Sequence, residues 1–381
     1  MKKKVFYWSP CLSNIGTINS TINSANGLNK YFNEKYDIFL LNCCGEWNEY
    51  QEILRNKGIK IINLNFNYYS FLPKNGFFLS RVSYLIIFLF SILPLIKILK
   101  RHQPNFIILH MLTSLPLLLL LISKFKTKFI LRISGFPKLH LLRKFLWKKV
   151  SFKLSAVTFP TISLLNQIID NKIFDDKVYF LSDAILNISD FIKKKNSPNF
   201  FYNKNKKKYF LSIGRLTKQK NFSYLIKEFS GFSKIHDNYN LLIFGDGEEK
   251  KNLTDLINKY NLEERVHLMG YSNNIYNYMK HAEALILTSL WEDPGFVLVE
   301  AALSNLFIIS SDCKNGPKEI LLNGKGGFLF NSNEENALCN KLIDFVNSER
   351  DRKKLIFVKK NIKKYTTFQH SQTLDSILSK I

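Results

Sequence analysis

Short apolar runs alternate with longer segments of helical periodicity along most of the chain. Runs of four to six residues rich in aliphatic and aromatic side chains predict buried strands, and longer segments with apolar residues three and four positions apart predict helices. In the first half the predicted strands are residues 5–8, 38–41, 59–62, 106–109, 129–133, 156–159 and 178–180, and the predicted helices include residues 21–32, 48–56 and 141–154. Apolar strands that alternate with helices are typical of a parallel sheet covered on both faces.

The alternation is interrupted at residues 187–208. This lysine-rich segment has little apolar periodicity, so it is predicted as a linker. After it, strands are predicted at residues 209–213, 240–244, 266–269, 284–287 and 307–310, and helices at 222–235, 248–259, 275–281, 296–304 and 335–347. The fold class is therefore predicted to be α/β, with two Rossmann-like domains, residues 1–186 and 209–365, that face each other across a cleft. Ligands of such sheets bind outside the carboxyl ends of the strands, so the sites are expected on the loops that follow them.

Two apolar stretches raise the question of a membrane span. Residues 82–96 contain Pro94 and two serines and are shorter than a typical span, whereas residues 106–123 divide at His110 into a short strand and a leucine-rich helix. The N-terminus begins like a signal peptide but lacks the long apolar region, which favours a first strand that enters the fold directly. The sequence predicts no transmembrane helix.

Charge and cysteine usage narrow the choice of partner and compartment. The 55 Lys and Arg against 30 Asp and Glu give a net charge of +25, which attracts phosphates, nucleic acid or an anionic membrane surface. The alternative is a solvated, lysine-rich surface without a partner. The five cysteines have no metal-ligand spacing, and their odd number favours a reducing compartment such as the cytoplasm.

Two loops of the second half suit a phosphate-bearing ligand. Arg215 can bind phosphate oxygens through its planar guanidinium, and Lys220 adds a point charge in the same loop. Gly245 and Gly247 follow the next strand and precede a helix, so the backbone can approach a ligand beside a positive helix N-terminus. Each loop alone is equally compatible with a solvated basic loop or a simple glycine turn.

A third loop, residues 289–302, leads into an apolar helix. The amides of Gly295, Phe296 and Val297 lie at the predicted helix start, where they can donate to an anion. Glu300 lies one turn further, where its carboxylate can accept hydrogen bonds from vicinal hydroxyls. Glu292 precedes the helix, and its simplest alternative role is as a partner of the helix dipole.

These features in their order resemble a family-4 glycosyltransferase of the GT-B fold. They are Gly214-Arg215-Leu216 with Lys220, the Gly245-Asp246-Gly247 loop, the Glu-x7-Glu pair Glu292/Glu300, and residues 311–320. The resemblance is strong over residues 209–330 and rests on pattern alone in the first half.

The resemblance implies a retaining enzyme that needs no metal or other cofactor. It would move a hexose or N-acetylhexosamine from a nucleoside-diphosphate sugar, UDP-linked in particular, to a lipid-linked or lipopolysaccharide-type glycan in bacterial surface polysaccharide assembly. Arg215 and Lys220 would hold the diphosphate, Glu300 the ribose hydroxyls, and Met269 and Tyr271 would flank the base. Glu292 would act beside the reacting carbon of the sugar. The C-terminal helix, residues 366–381, would return to the first domain.

Two departures from the family pattern bear on the first domain. The family has a glycine-rich turn after its first strand, where this chain has only Gly16, a thin donor contact. Many members place a histidine where this chain has Ser134, and His110, after an earlier strand, could face the cleft instead. Both are candidates for catalysis on the acceptor side, although the departing phosphate can itself take the acceptor proton, so no protein base is required.

Residues 141–154 predict a basic amphipathic helix that carries a tryptophan. Its predicted membrane-surface residues are Arg143, Lys144, Trp147, Lys148 and Lys149. Such a helix favours reversible attachment to an anionic membrane surface, which predicts a cytoplasmic protein that is peripheral on the inner face of the cell membrane. The alternative is a helix that packs on the core and exposes a solvated basic face.

Three other functions fit the sequence less well than sugar transfer. A sugar-nucleotide epimerase could share the two-domain plan but needs more acid–base groups in the cleft. A basic nucleic-acid-binding protein would explain the charge, yet the aromatic residues follow strand and helix patterns and form no stacking motif, so no nucleic-acid partner is predicted. A nicotinamide-dependent dehydrogenase is disfavoured because no G-x-G-x-x-G follows the first strand.

Overall fold

The computed structural model describes residues 2–12, 16–73, 77–135, 137, 139–174, 177–196, 207–331 and 334–381. The chain divides into two compact units, Met1–Ile185 with Thr367–Ile381, and Leu186–Thr366. Each unit is built on one parallel sheet. The predicted α/β fold with two Rossmann-like sheets is confirmed.

The sheet of the first unit has seven parallel strands in the order β3-β2-β1-β4-β5-β6-β7. Their bounds are β1 Lys3–Trp8, β2 Tyr36–Asn42, β3 Lys60–Asn63, β4 Phe106–Leu109, β5 Lys128–Arg132, β6 Ala156–Phe159 and β7 Val178–Phe180. All seven coincide with predicted strands within a few residues, because strands buried on both faces leave a continuous apolar signature.

Helices cover both faces of this sheet. They are α1 Gly16–Tyr31, α2 Gln51–Asn56, α3 Phe77–His102, α4 Ser114–Ile122, α5 Leu141–Ser151 and α6 Ile162–Asp170, with short 3₁₀ helices at Asn48–Tyr50 and Tyr69–Phe71. Helices α3 to α6 pack with Phe6 and Trp8 on one face, and α1 and α2 pack with Val5 and Tyr7 on the other. The alternation of β1 side chains between two cores follows from the two-residue period of a strand.

Helix α3 has one side in the core and one side exposed. Its buried side chains recur every four residues, at Ser83, Ile87, Ser91, Leu95 and Leu99. Over Leu79–His102 the helix is long and apolar enough to cross a bilayer by length and composition, with a mean hydropathy of 2.4 in an 18-residue window of which 28% is buried. Its packing against the sheet makes it a core helix with an apolar outer side, and the absence of a spanning helix stays a prediction.

The second unit has a six-stranded parallel sheet in the order β10-β9-β8-β11-β12-β13. Its strands are β8 Lys208–Ile213, β9 Tyr239–Phe244, β10 Val266–Gly270, β11 Ala284–Leu287, β12 Phe307–Ser311 and β13 Phe328–Phe330. Its helices are α7 Ile188–Lys195, α8 Phe222–Ile235, α9 Lys250–Lys259, α10 Tyr276–Met279, α11 Phe296–Leu303, α12 Pro317–Ile320, α13 Ala337–Asn347 and α14 Lys353–Asn361, with 3₁₀ helices at Lys218–Lys220 and Ile362–Tyr365. The sequence pattern had not indicated β13, α12 or α14.

The first part of the predicted linker is helical. Asn187 caps α7 by accepting a hydrogen bond from the Asp190 amide, and Phe191 is buried. The apolar side chains at 188, 191 and 192 give this helix one apolar edge. The lysines that follow them lower the apolar content of the segment, so its helical periodicity is weak in the sequence. Residues 197–206 of the predicted linker lie outside the described residues.

The C-terminal helix, α15 Thr367–Lys380, belongs to the first unit and packs on α1. His370 is buried between two partners: its Nε2 lies 2.8 Å from the Ser24 hydroxyl and its Nδ1 lies 2.6 Å from the Ser182 carbonyl oxygen. Gly27 allows the close approach, because a Cβ there would come within 2.0 Å of the Ser371 hydroxyl oxygen. The helix is therefore fixed by polar contacts as well as apolar ones.

The first unit is expected to lose stability in mild acid. Burial, aided by the Arg132 charge, lowers the pKa of His370 from 6.5 to about 4. The unfolded chain therefore binds more protons than the folded one between these values, so the free energy of unfolding falls as the pH drops below about 6.5, by about 2 kcal/mol at pH 5. Urea unfolding of the wild type and of His370→Asn measures this, because the variant lacks the titrating ring. Equal pH dependence in both proteins would contradict the assignment.

Candidate functional site

Four loops of the second unit meet at the carboxyl edge of its sheet. They follow β8, β9, β11 and β12, and β9, β8, β11 and β12 are consecutive neighbours in the sheet. Because parallel strands end at the same edge, the loops that carry Arg215, Gly245, Glu292 and residues 312–316 are brought side by side. The residues predicted to bind one ligand therefore share one edge of the sheet.

The glycines of the β9 loop make room for the backbone of the β8 loop. Gly245 has φ +141°, and a Cβ there would lie 1.8 Å from the Gly214 carbonyl oxygen. A Cβ on Gly247 would lie 2.4 Å from the Leu216 carbonyl oxygen, and the Leu216 amide donates to the Asp246 carbonyl at 2.9 Å. The close approach that the sequence assigned to a ligand is here an approach to protein backbone, which holds exposed Arg215 at the edge of the sheet.

Glu292 lies in a buried cluster with Lys220 and Ser289. Its Oε1 is 2.5 Å from Lys220 Nζ and accepts a hydrogen bond of 2.5 Å from the Ser289 hydroxyl. Only 4% of Glu292 is exposed. A buried carboxylate is costly unless it is paired and hydrogen-bonded, and Lys220 and Ser289 supply Glu292 with a cation and a hydrogen-bond donor. Lys220, predicted for the diphosphate, is thus also the counter-ion of Glu292.

The turn before α11 is held by the loop after β12. The Glu292 amide donates to the Lys314 carbonyl oxygen at 3.0 Å, and a Cβ on Gly316 would lie 1.8 Å from the Pro294 carbonyl oxygen. Gly295, in the left-handed region with φ +95°, then starts the helix. The first intrahelical bond is donated by the Leu298 amide to Gly295, so the amides of Gly295, Phe296 and Val297 point out of the helix start.

Glu300 lies one turn into α11 and receives a hydrogen bond from another helix. The Tyr276 hydroxyl of α10 donates to its Oε1 at 3.2 Å. Burial raises the pKa of Glu300 to about 7, against the smaller opposing effects of the Tyr276 hydrogen bond and the Lys194 charge. The Tyr276 ring packs edge-to-face on Phe191 of α7, with 5.1 Å between the ring centroids. Helices α7 and α10 therefore support the carboxylate predicted to hold the ribose.

The predicted base-flanking residues lie at the same edge of the sheet. Met269 is part of β10 and Tyr271 follows it, with 79% of the tyrosine exposed. The Gly245 amide donates to the Gly270 carbonyl oxygen at 2.9 Å, which ties this segment to the β9 loop. This placement agrees with one ligand that contacts both this segment and the other loops at the same edge of the sheet. That Met269 and Tyr271 flank its base stays a prediction.

The acceptor-side candidates of the first unit follow β4 and β5, which are adjacent strands. The Nδ1 atom of buried His110 lies 3.4 Å from the Thr21 hydroxyl, whereas its Nε2 has no hydrogen-bond partner within the described part of the chain. Burial and the Arg132 charge lower the pKa of His110, so the ring is neutral at neutral pH. The Ser134 hydroxyl oxygen is also buried and has no partner among the described residues. Gly16 is exposed at the start of α1.

Residues 193–363, which include all four donor-side loops, match the family model for glycosyl transferases group 1. This segment is thus similar to the group 1 glycosyltransferases. An uncharacterized glycosyltransferase of Methanocaldococcus jannaschii is 45% identical over 112 residues, 29% of this chain and 28% of the relative. A 4-alpha-N-acetylgalactosaminyltransferase of Campylobacter jejuni, named for a diphospho-undecaprenol-linked acceptor, is 33% identical over 148 residues, 39% of this chain and 40% of the relative. The matched stretches thus span less than half of these curated relatives.

Solved structures extend the likeness in fold to both units of the chain. A glycosyltransferase of Rickettsia africae matches with a TM-score of 0.76 at 18% identity, covering 100% of this chain and 98% of that one. Anabaena HepE in complex with UDP and glucose matches with a TM-score of 0.72 at 15% identity over 100% of both chains. The predicted kinship with glycosyltransferases of the GT-B fold is confirmed.

One residue of the predicted membrane surface lies on the buried side of its helix. Trp147 is only 5% exposed and packs against Phe174, with ring centroids 5.5 Å apart. It lies on the side of α5 that faces the sheet, together with Val150. The exposed residues of α5 are instead Leu141, Leu142, Arg143, Phe145, Lys148 and Lys149, with Lys144 half-buried.

The sequence pattern does not indicate the side chains that support Glu292 and Glu300. Ser289 lies three residues before Glu292, a spacing that could have suggested a contact within one loop. Tyr276 lies 24 residues before Glu300, and Phe191 is further away still. No local sequence pattern predicts that Tyr276 contacts Glu300 or that Phe191 contacts Tyr276, because the helices that carry these residues meet only in the folded unit.

Proposed function

We propose that the protein is a retaining glycosyltransferase that moves a hexose or N-acetylhexosamine from a UDP-linked sugar to a lipid-linked or lipopolysaccharide-type glycan acceptor. The observation that carries this proposal is the buried Glu292–Lys220–Ser289 cluster beside the open start of α11. The carboxylate can stabilise the reacting sugar, and the amides at the helix start can stabilise the departing diphosphate beside it.

The donor's two ends would be held by different groups. Arg215, Lys220 and the amides of residues 295–297 supply positive charge for the diphosphate, and Glu300 accepts hydrogen bonds from the ribose hydroxyls. Lys220 has three donors and uses one on Glu292, so it can bind a phosphate oxygen without leaving that carboxylate. This supply of charge by the chain itself supports transfer without a metal ion or other cofactor.

The transfer step would develop negative charge on the leaving diphosphate and positive charge on the sugar ring. The cations and helix amides stabilise the first, and the Glu292 carboxylate beside the sugar stabilises the second. In a retaining reaction the departing phosphate can take the proton of the attacking hydroxyl. His110 and Ser134 stay candidates for catalysis on the acceptor side, and the lowered pKa of His110 leaves its ring in the unprotonated form that a general base requires.

The names of relatives support the classes of donor and acceptor. The Campylobacter enzyme and an Escherichia coli enzyme, which is 33% identical over 142 residues, are named for undecaprenol-linked acceptors, and the second is also named for UDP-galactose. The Anabaena structure contains UDP and glucose, and an Erwinia amylovora relative is named for amylovoran biosynthesis. We infer an acceptor of the same broad class for this chain.

Incubation with a panel of UDP-linked sugars, with and without undecaprenol-linked acceptors, tests the proposal. Release of UDP that requires an acceptor, together with a product whose anomeric configuration matches the donor's, is the expected result. Isomerised donor formed without acceptor would support an epimerase instead. Release of UDP with inversion at the reacting carbon would overturn the retaining mechanism alone.

The Glu300 carboxylate is expected to control donor binding. Glu300→Gln should raise the donor KM about tenfold with little change in kcat, because charged hydrogen bonds to the ribose are lost. In the wild type the donor KM should rise as the pH falls through about 7, where Glu300 takes up its proton. Tyr276→Phe should move that transition to higher pH, because the phenol hydrogen bond stabilises the carboxylate. Tyr278→Phe, on the same helix but packed on Phe244, is the matched control, and an unshifted transition in Tyr276→Phe would contradict the assignment.

We also propose an anionic membrane surface as a partner, at the inner face of the cell membrane. Helix α5 exposes Leu141, Leu142 and Phe145 beside Arg143, Lys148 and Lys149, which suits reversible attachment to anionic lipid. In liposome flotation we expect more protein on anionic than on neutral vesicles at low salt, and a smaller difference at high salt. Equal recovery on both kinds of vesicle would contradict this partner.

A further inference from the structure

The outer side of α3 carries a stripe of leucines bounded by cations. Residues recur every four positions along this side, and all are exposed: Arg81, Leu85, Leu89, Leu93, Lys97 and Arg101. Leu85 and Leu89 are each 57% exposed and Leu93 is 76% exposed. We call Leu85, Leu89 and Leu93 the leucine stripe. An apolar row of this kind costs free energy in water, so it indicates a surface that is covered in use.

The packing of α3 favours a position on the membrane surface over one across the bilayer. The opposite side of α3 is buried against the sheet, and the stripe is only about 12 Å long at 1.5 Å per residue, compared with about 30 Å of hydrocarbon. With cations at both ends of the stripe, the helix suits a position parallel to the membrane plane, with its leucines at the boundary between headgroups and acyl chains.

Neighbouring helices extend the same apolar side. Helix α4 contacts both α3 and α5, and all three pack on one side of the sheet. Lys153, just after α5, donates to the Leu120 and Leu121 carbonyl oxygens of α4. Ile122 at the end of α4 is 73% exposed, and Leu141 at the start of α5 is 87% exposed. The exposed apolar residues therefore span several helices rather than one.

The charge of this part of the chain is one-sided. Between Glu52 and Asp170 the sequence contains 18 Lys and Arg and no Asp or Glu. The whole chain contains 30 Asp and Glu, so an even distribution would place several of them in this segment. Their absence makes the segment more basic than the rest of the chain. Two of the 18 pair with acids outside this segment, Lys60 with Asp37 and Arg132 with Asp183, and the segment still has a large excess of cations. A surface with apolar rows and an excess of positive charge is complementary to anionic phospholipid.

A groove opens at the C-terminal end of the leucine stripe. It has a volume of about 430 Å³ between the end of β3 and the last turns of α3, and its polar lining comes from Asn63, Lys97, Arg101 and His102. The helix dipole alone can explain why cations lie at the C-terminus of α3. It does not explain why they line a groove that is large enough for a phosphate group. Leu93 of the leucine stripe lines the same groove.

We propose that the leucine stripe and this groove dock the protein on an anionic bilayer, with the leucines in the headgroup–acyl boundary and the phosphate of an anionic phospholipid in the groove. This goes beyond attachment through α5, and it does not depend on the donor site. Vesicle binding without any sugar donor therefore tests it separately from the proposed transferase activity.

The experiment compares binding of the full chain to phosphatidylcholine vesicles and to vesicles that also contain phosphatidylglycerol. Leu85→Ser/Leu89→Ser/Leu93→Ser should weaken binding to the anionic vesicles at least about tenfold, because the apolar contact is lost. Ile235→Ser/Ile356→Ser/Phe357→Ser removes three exposed apolar residues of the second unit and is the matched control. Equal binding by the leucine variant and the wild type, or an equal loss in the control, would overturn the proposal.

The groove has its own pair of variants. Lys97→Gln/Arg101→Gln should weaken binding to the anionic vesicles about tenfold and leave binding to phosphatidylcholine unchanged, whereas Lys250→Gln/Lys251→Gln on exposed α9 should change neither. Competition by millimolar inorganic phosphate with no dependence on lipid would show a free-anion site and overturn the lipid assignment.

Insertion depth provides a measurement that does not depend on weakened binding. Tryptophan emission of Leu89→Trp should be quenched by lipids brominated on the acyl chain, whereas that of Ile356→Trp should not. The tryptophans at 8, 47 and 147 are buried, and Trp291, which is 46% exposed, belongs to the second unit, so the quenching of the wild type is subtracted as background. Absence of quenching in Leu89→Trp bound to vesicles would exclude the proposed position of α3.

Discussion

We expect Glu292→Gln to lower kcat for sugar transfer by about a hundredfold to a thousandfold while the donor KM changes by less than about threefold. The replacement keeps the shape of the side chain and removes its charge. If that charge stabilises the positive charge that develops on the sugar ring, its removal destabilises the transition state more than the bound donor. Steady-state kinetics with the preferred UDP-linked sugar gives both constants.

Two companion variants separate the role of Glu292 from that of its partners. Lys220→Met removes the counter-ion, which lies 2.5 Å from Glu292 Oε1, and should raise the donor KM as well as lower kcat, because Lys220 is proposed to touch the diphosphate. Glu283→Gln breaks another partly buried ion pair of the same unit, Arg350–Glu283, and should leave kcat unchanged. A Glu292→Gln enzyme with wild-type kcat would remove Glu292 from the catalytic site.

The donor-side loops could be located from the sequence because the signals that mark them are local. A buried parallel strand is a continuous apolar run, and Gly245, Gly247 and Gly295 mark places where the backbone leaves ordinary conformations. The physical reason for two of these glycines was nevertheless different from the one predicted. Gly245 and Gly247 accommodate the Gly214–Leu216 backbone, a contact between two loops that no single segment reveals.

The parts that could not be predicted depend on contacts between distant segments. The pattern of apolar and basic residues along α5 does not show which side of the helix faces the core, so Trp147 was predicted to be exposed. In the structure the Phe174 ring and the sheet bury it. Strand β13 is three residues long, too short to show a period. Tyr276 and Phe191 acquire their roles only because α7 and α10 meet beside Glu300.

The buried ion pair of Arg132 and Asp183 is expected to have the largest effect on stability. Arg132 Nη2 lies 2.6 Å from Asp183 Oδ1, and Nη1 donates to the Leu181 carbonyl oxygen at 2.6 Å. Both side chains are almost completely buried, and the Ser20 hydroxyl donates to the same carboxylate oxygen at 3.0 Å. The pair therefore joins the end of β5 to the segment after β7 and to α1.

Asp183→Asn should lower the free energy of unfolding of the first unit by about 3–5 kcal/mol, because it leaves the Arg132 charge buried without a counter-ion. The uncompensated charge would also lower the pKa of His370 further, since Asp183 now opposes the effect of Arg132 on that ring. Asp37→Asn, which breaks the exposed Lys60–Asp37 pair at 2.8 Å, is the control and should cost less than about 1 kcal/mol. Urea unfolding of the three proteins gives these differences, and a similar loss in both variants would mean that water reaches Arg132. Arg132→Met/Asp183→Leu, which removes both charges, should be more stable than Asp183→Asn, because the penalty arises from the unpaired charge rather than from the lost attraction.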